Sequence, residues 1–193
     1  MLDRIGGEKA RATSIVKYAP GSSFPTHLHS GGEEILVLSG TFSDERGDYP
    51  TGWYLRNPPG SSHAPSAREG AVIFVKLRQM DGAEREAVRI DTREQGRWHT
   101  GDGRQRCPLF RNGTEDVSIQ RLVRAQRLFD IPIVGAEIFV LAGGLMHDGR
   151  HLPTGSWIRL PAGAYPRIAA GTEGATIYLK QGALGMGFEV EAA

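Results

Sequence analysis

The apolar positions of this chain fall in short runs. Ile35-Leu36-Val37-Leu38, Val72-Ile73-Phe74-Val75 and Ile138-Phe139-Val140-Leu141 each sit between clusters of Gly, Pro, Asn and Asp. Runs of that length, rich in β-branched and aromatic residues and bounded by turn formers, predict strands. The 26 glycines and 11 prolines are a heavy load for helices. An all-β barrel or sandwich is therefore expected.

The pattern also repeats. Glu34-Ile-Leu-Val-Leu-Ser-Gly40 aligns with Glu137-Ile-Phe-Val-Leu-Ala-Gly143, and Pro50-Thr-Gly through Pro58-Pro-Gly60 aligns with Pro153-Thr-Gly through Pro161-Ala-Gly163, both at an offset of 103 residues. After one added residue, Glu69-Gly-Ala-Val-Ile-Phe-Val-Lys76 pairs with Glu173-Gly-Ala-Thr-Ile-Tyr-Leu-Lys180. Such self-similarity predicts two copies of one barrel unit. The expected domains are residues 1–88 and 89–193. Between the copies, Arg85 to Asp91 is an expected strand, and Asn112-Gly113 carries the signal of a two-residue hairpin.

Composition narrows the function only a little. A length of 193 residues is enough for one large or two small cores, and a formal net charge of +1 argues for no particular polyanionic partner. Residues 85–127 hold ten Arg and no Lys, but interspersed Glu and Asp predict a salt-bridged surface, so nucleic acid is not an expected partner. No run approaches about 18 consecutive apolar residues, and the N-terminus lacks the apolar core of a signal peptide, so no membrane association is expected. The single Cys107 cannot form an intrachain disulfide. A cytoplasmic location is expected from these features.

The candidate chemistry lies between Gly21 and His63. His27 and His29 are two residues apart, a spacing that puts both imidazoles on one side of a strand. Glu33 follows the Gly31-Gly32 break, where a turn can swing a carboxylate back towards the pair. His63 follows Pro58-Pro59-Gly60, which reads as a tight turn into the next strand. Three neutral imidazoles and one carboxylate suit a divalent transition metal.

These residues meet every spacing of the paired cupin motifs, on Gly21, His27, His29, Glu33, Gly40, Gly52, Pro58, Gly60 and His63. The one departure is Ala67, where an asparagine is often found. Tyr18-Ala-Pro-Gly-Ser-Ser-Phe-Pro25 and Tyr54-Leu-Arg-Asn-Pro-Pro-Gly-Ser-Ser-His-Ala-Pro65 resemble more narrowly the ChrR-like cupins, named for the C-terminal part of an anti-sigma factor. The resemblance implies a double cupin, two tandem jelly-roll barrels, with one divalent metal per chain (Fe, Mn or Zn). The helical, zinc-binding domain with which the ChrR type holds its sigma factor has no counterpart here, so a sigma factor is not an expected partner. Stand-alone members of the group resemble metal-dependent dioxygenases that cleave diketones or hydroxylated ketones. A small-molecule substrate is thus expected, the alternative being a metal-containing sensor without turnover. Trp53, Tyr54, Phe74 and Lys76 are candidates for lining the cavity.

The second copy reads differently. At the 103-residue offset, the four ligand positions fall on Asp130, Pro132, Ala136 and Pro166. A metal-free second barrel is expected, serving to cover the first, to hold a homodimer or to bind something without metal. His147 and His151 are expected in a surface loop.

Overall fold

The computed structural model describes residues 1–7, 10–164, 166–182 and 184. Two compact units emerge, Met1–Glu94 and Gln95–Ala193. The expected boundary at residue 88 would cut the strand Val88–Asp91, which pairs with Trp53–Asn57 and so belongs to the first unit.

The first unit contains β1 (Asp3–Ile5), β2 (Arg11–Tyr18), β3 (Ser22–Ser23), β4 (His27–His29), β5 (Glu33–Asp44), β6 (Gly47–Pro50), β7 (Trp53–Asn57), β8 (Ser61–His63), β9 (Ser66–Ala67), β10 (Ala71–Leu77) and β11 (Val88–Asp91). The order β1-β2-β10-β5-β7-β11 makes the main antiparallel sheet, while β4 and β8 form a two-stranded sheet of their own. β5 is shared: residues 33–40 run beside β10 and β7, and residues 41–44 turn away to pair with β6 and β9. The bend falls at Gly40, whose φ is +72°. A Cβ there would stand 2.2 Å from the Gly70 carbonyl oxygen, so no other residue fits without moving backbone.

Ile35, Val37, Phe42, Leu55, Ile73 and Val75 form the centre of the first core. Each such side chain removed from water contributes about 1.5–3 kcal/mol. The opposite face of the same strands is also closed, and it carries charge: Arg56 donates to Glu34 at 3.2 Å and to Glu84 at 2.5 and 2.8 Å.

The second unit repeats the plan with a 3-10 turn (Gln95–Arg97), β12 (His99–Gly101), β13 (Arg104–Arg111), β14 (Glu115–Leu122), β15 (Ala136–His147), β16 (Arg150–Pro153), β17 (Trp157–Leu160) and β18 (Ile168–Gly182). β15 has the 12-residue length of β5, and Gly143 (φ +68°) bends it against Gly174 as Gly40 bends β5 against Gly70. Ile138, Val140, Leu145, Ile177 and Leu179 lie at the centre of its core. Glu137 accepts from Arg159, as Glu34 does from Arg56. Two differences matter. Asp130–Pro132 forms no strand, so the described residues of the second unit show no counterpart of the β4–β8 pair. Between β13 and β14 the expected two-residue hairpin is instead a loop of Asn112, Gly113 and Thr114; neither Asn112 nor Gly113 takes the positive φ that a type I′ turn needs, and the Asn112 side chain accepts from the Thr114 and Glu115 N–H groups.

Candidate metal centre

The β4–β8 register sets His27 opposite His63 and His29 opposite Ser61. Strand alternation turns His27 and His29 to one face, leaving Leu28 between them 64% exposed on the other. One ring nitrogen of each of His27, His29 and His63 lies within 4.8 Å of the others. The Pro58-Pro59-Gly60 turn is tied to the end of β4, because the Gly60 N–H donates to the His29 carbonyl at 3.0 Å. Gly32 (φ +75°) donates to the same carbonyl at 3.2 Å, and this turn returns the chain so that Glu33 opens β5 beside the histidines.

His29 Nε2 and His63 Nε2 stand 2.9 Å apart, and Glu33 Oε2 lies 3.4 Å from the first and 3.3 Å from the second. Two donor atoms each about 2.1 Å from a common ion would be about 3.0 Å apart at a right angle and about 3.4 Å apart at a tetrahedral angle. The observed separations fall in that range. Tautomers agree too: the carbonyl of Pro25 can only accept, so His27 Nδ1, 3.0 Å away, carries its hydrogen and leaves the Nε2 lone pair free. His27, His29 and His63 are thus brought together, with Glu33 against His29 and His63, and this donor set fits a divalent transition metal.

Supporting groups surround them that spacing alone did not reveal. Asp44 Oδ2 faces His63 Nδ1 at 3.5 Å, and among the described residues neither buried atom has a closer hydrogen-bond partner. The other Asp44 oxygen is held by the Arg46 N–H at 2.8 Å and the Tyr49 hydroxyl at 3.2 Å. A carboxylate behind a histidine in this way fixes which ring nitrogen keeps its lone pair. Asn57 donates to Glu33 Oε2 at 3.0 Å and accepts from Arg89 at 2.5 Å. Alternation along β7 was the available signal for Asn57, since it shares the inward side of Leu55; Asp44, at the far end of β5, left none.

Burial dominates the electrostatics. It pushes the Glu33 carboxyl up to about 7, against the pull of Asn57 and Arg89. It lowers His29 to about 4, helped by His63, His27 and Arg78, and lowers His63 against the pull of Asp44. Tyr18 is raised to about 12 by burial and by Glu33, so its phenol keeps its proton. Near neutral pH His29 and His63 are therefore uncharged bases.

A cavity of about 310 Å³ opens against His27, His29 and Glu33, walled by Val16, Tyr18, Ile73, Val75 and Leu77. Of the candidates for lining it, Tyr54, Phe74 and Lys76 lie on the other face of their strands: Ile73 and Val75 point into the cavity, so their neighbours cannot. Trp53 packs instead against Tyr49, with ring centroids 5.4 Å apart. In the second unit, Asp130 is exposed beside Arg127, and Ala136 is buried. His147 ends β15 and His151 lies in β16, so both stand on a hairpin and not in a loop. The arginine-rich stretch is in part ion-paired, Arg93 with Asp91 and both Arg106 and Arg111 with Asp116. No helix among the described residues is long and apolar enough to cross a membrane.

Comparison with known proteins gives three findings. Residues 1–81 match the family model of the ChrR Cupin-like domain. No curated protein sequence matches significantly. Among solved structures, the fold is similar to a candidate dioxygenase from Nostoc punctiforme (TM-score 0.74, 14% identity, 88% of this chain and 68% of that one). It is also similar to salicylate 1,2-dioxygenase from Pseudaminobacter salicylatoxidans (0.68, 13%, 90% and 71%) and to the bacterial pirin YhhW from Escherichia coli, solved with nickel(II) (0.63, 13%, 86% and 79%). At these identities the likeness shows the fold, an all-β double cupin.

Proposed function

With a ChrR cupin-like domain over residues 1–81 of a double cupin fold as the premise, we propose that the first unit holds one divalent transition metal through His27, His29, Glu33 and His63. We further propose that the chain uses this centre as a metal-dependent dioxygenase acting on a small oxygenated molecule such as a diketone or hydroxyketone. The observation that carries the reading is the convergence of His29, His63 and Glu33 donor atoms within 2.9–3.4 Å at the foot of an open cavity. The nickel(II) of the pirin structure and the activity named for the salicylate enzyme support it.

A bound divalent ion supplies Lewis acidity and, as iron or manganese, redox chemistry. The protein supplies the rest. His29 and His63 offer neutral nitrogens near pH 7, His27 adds a third imidazole, and Asp44 and the Pro25 carbonyl orient two of the rings. Glu33, steadied by Asn57, adds the negative charge. Val16, Ile73, Val75 and Leu77 exclude water from one side of the cavity, and the Tyr18 phenol stays protonated as a hydrogen-bond donor.

Oxygen uptake by the iron(II)-loaded protein with a panel of small diketones and hydroxyketones tests the reading. Uptake that stops on chelation and returns with iron(II) is expected. Ligand binding without oxygen uptake across the panel would instead assign the centre to sensing.

A further inference from the structure

One cation lies among the residues around the cavity, and its backbone is strained. Arg78 directly follows β10 and has φ +58°, a left-handed conformation that a long side chain keeps only when its surroundings fix it. Its fixed points all come from one place. The Arg78 N–H donates to the Gly32 carbonyl at 3.0 Å, and its Nη1 donates to Ser30 Oγ at 2.7 Å. Its Cα and Cβ lie 2.8 Å from where a Cβ on Gly31 would stand, so only glycine lets the stem pass. Ser30, Gly31 and Gly32 are the three residues that join His29 to Glu33.

Among the described residues, the guanidinium so placed is left without a carboxylate partner. Arg56, Arg93 and Arg106 each meet a carboxylate, whereas among the described residues Ser30 Oγ is the only side-chain acceptor on Arg78. A guanidinium has five N–H donors in a fork that matches a carboxylate. At about 310 Å³, the cavity is at the small end of ligand pockets, and away from the histidines and Glu33 its walls include Val16, Leu28, Ile73, Val75 and Leu77.

We propose that Arg78 anchors the substrate, and that the substrate is a small 2-oxo or 2-hydroxy carboxylic acid whose carboxylate pairs with this guanidinium while its second oxygen faces the histidine cluster. The inference rests on the metal-centre reading for that second contact alone. A neutral diketone would leave the guanidinium with no charged partner, so charge at this position selects among oxygenated substrates of similar size.

Pyruvate and its neutral isostere pyruvamide test this by calorimetric titration into the manganese(II)-loaded full chain. Pyruvate is expected to bind at least about tenfold more tightly, the scale of one charge-assisted pair. Arg78→Gln should erase that preference, and Arg78→Lys should restore part of it. Arg78→Gly relieves the positive φ, so it should keep the fold and still lose the preference. Equal binding of the two compounds, no binding of pyruvate, or a preference that survives in Arg78→Gly would overturn the proposal. The manganese content of the same samples reports on the metal reading separately. One retained equivalent without a pyruvate preference sinks only the role of Arg78; an Arg78-dependent preference in protein that holds no manganese sinks only the metal centre.

Discussion

Burial gives Glu33 and His29 opposite responses to pH. A carboxyl raised from 4.5 to about 7 favours the folded state most below pH 4.5 and loses that contribution as pH rises through 7. His29, lowered from 6.5 to about 4, keeps its contribution above pH 6.5 and loses it as pH falls towards 4. A metal needs both groups deprotonated, so near neutrality the proton that competes with it sits on Glu33. Affinity for manganese(II) should rise by about tenfold per unit up to about pH 7 and then level off; competition with a chelator from pH 5.5 to 8.5 measures this, and a flat profile would remove Glu33 from the ligand set. Behind His63, Asp44→Asn should weaken metal binding by roughly 10–100-fold at unchanged secondary structure. Unaltered affinity in that variant would mean that the 3.5 Å approach does not orient the ring. The four candidate ligands were legible in the sequence because turn residues pin their spacing. Asp44 and Arg78 were not, because pairing between strands distant in sequence brings them to the cluster, and Asn57 was marked only by its alternation with Leu55.

Elements were easier to read than their faces. Glycine and proline marked the strand ends, and the repeat matched Gly40 with Gly143, but that β5 and β15 run on through these glycines as a bend came only with the structure. Which way Phe74 and Lys76 point could not be read from Val72-Ile73-Phe74-Val75, because both faces of β10 are buried and the run shows no polar alternation. The same burial is what Gly40 serves. Gly40→Ala should destabilise the chain by roughly 2–4 kcal/mol in chemical denaturation, since its Cβ would stand 2.2 Å from backbone at a positive φ. Gly60→Ala, also at positive φ but with nothing within 4 Å of the new atom, should cost about 1 kcal/mol and serves as the control. Equal losses in the two variants would show that conformation alone, and not the close approach of Gly70, sets the requirement.

Across the whole molecule, a duplicated architecture would supply two equivalent centres, whereas the residues at the second set of positions are Asp130, Pro132, Ala136 and Pro166. The 103-residue offset made this asymmetry readable without coordinates, and the structure adds that Asp130–Pro132 forms no strand in place of β4. The exact joint between the units was less legible, because nothing in the composition of Val88–Asp91 says that it pairs back with β7. Elemental analysis of desalted protein is expected to give about one metal equivalent per chain, and a Glu33→Gln, His63→Ala double variant almost none. Two equivalents, or one that persists in the double variant, would locate a centre outside β4, β5 and β8.

His63 and Glu33 are 2% and 6% exposed, whereas His27 stands in solvent at the end of β4. Affinity is a sum over ligands, but escape is a sequence of ruptures, and the first rupture belongs to the ring that water reaches. His27→Ala should therefore speed the transfer of manganese to an external chelator far more than an equally weakening change behind a buried ligand does. Stopped-flow stripping of His27→Ala and Asp44→Asn protein compares the two; identical rates at matched affinity would mean that the ion leaves by another side.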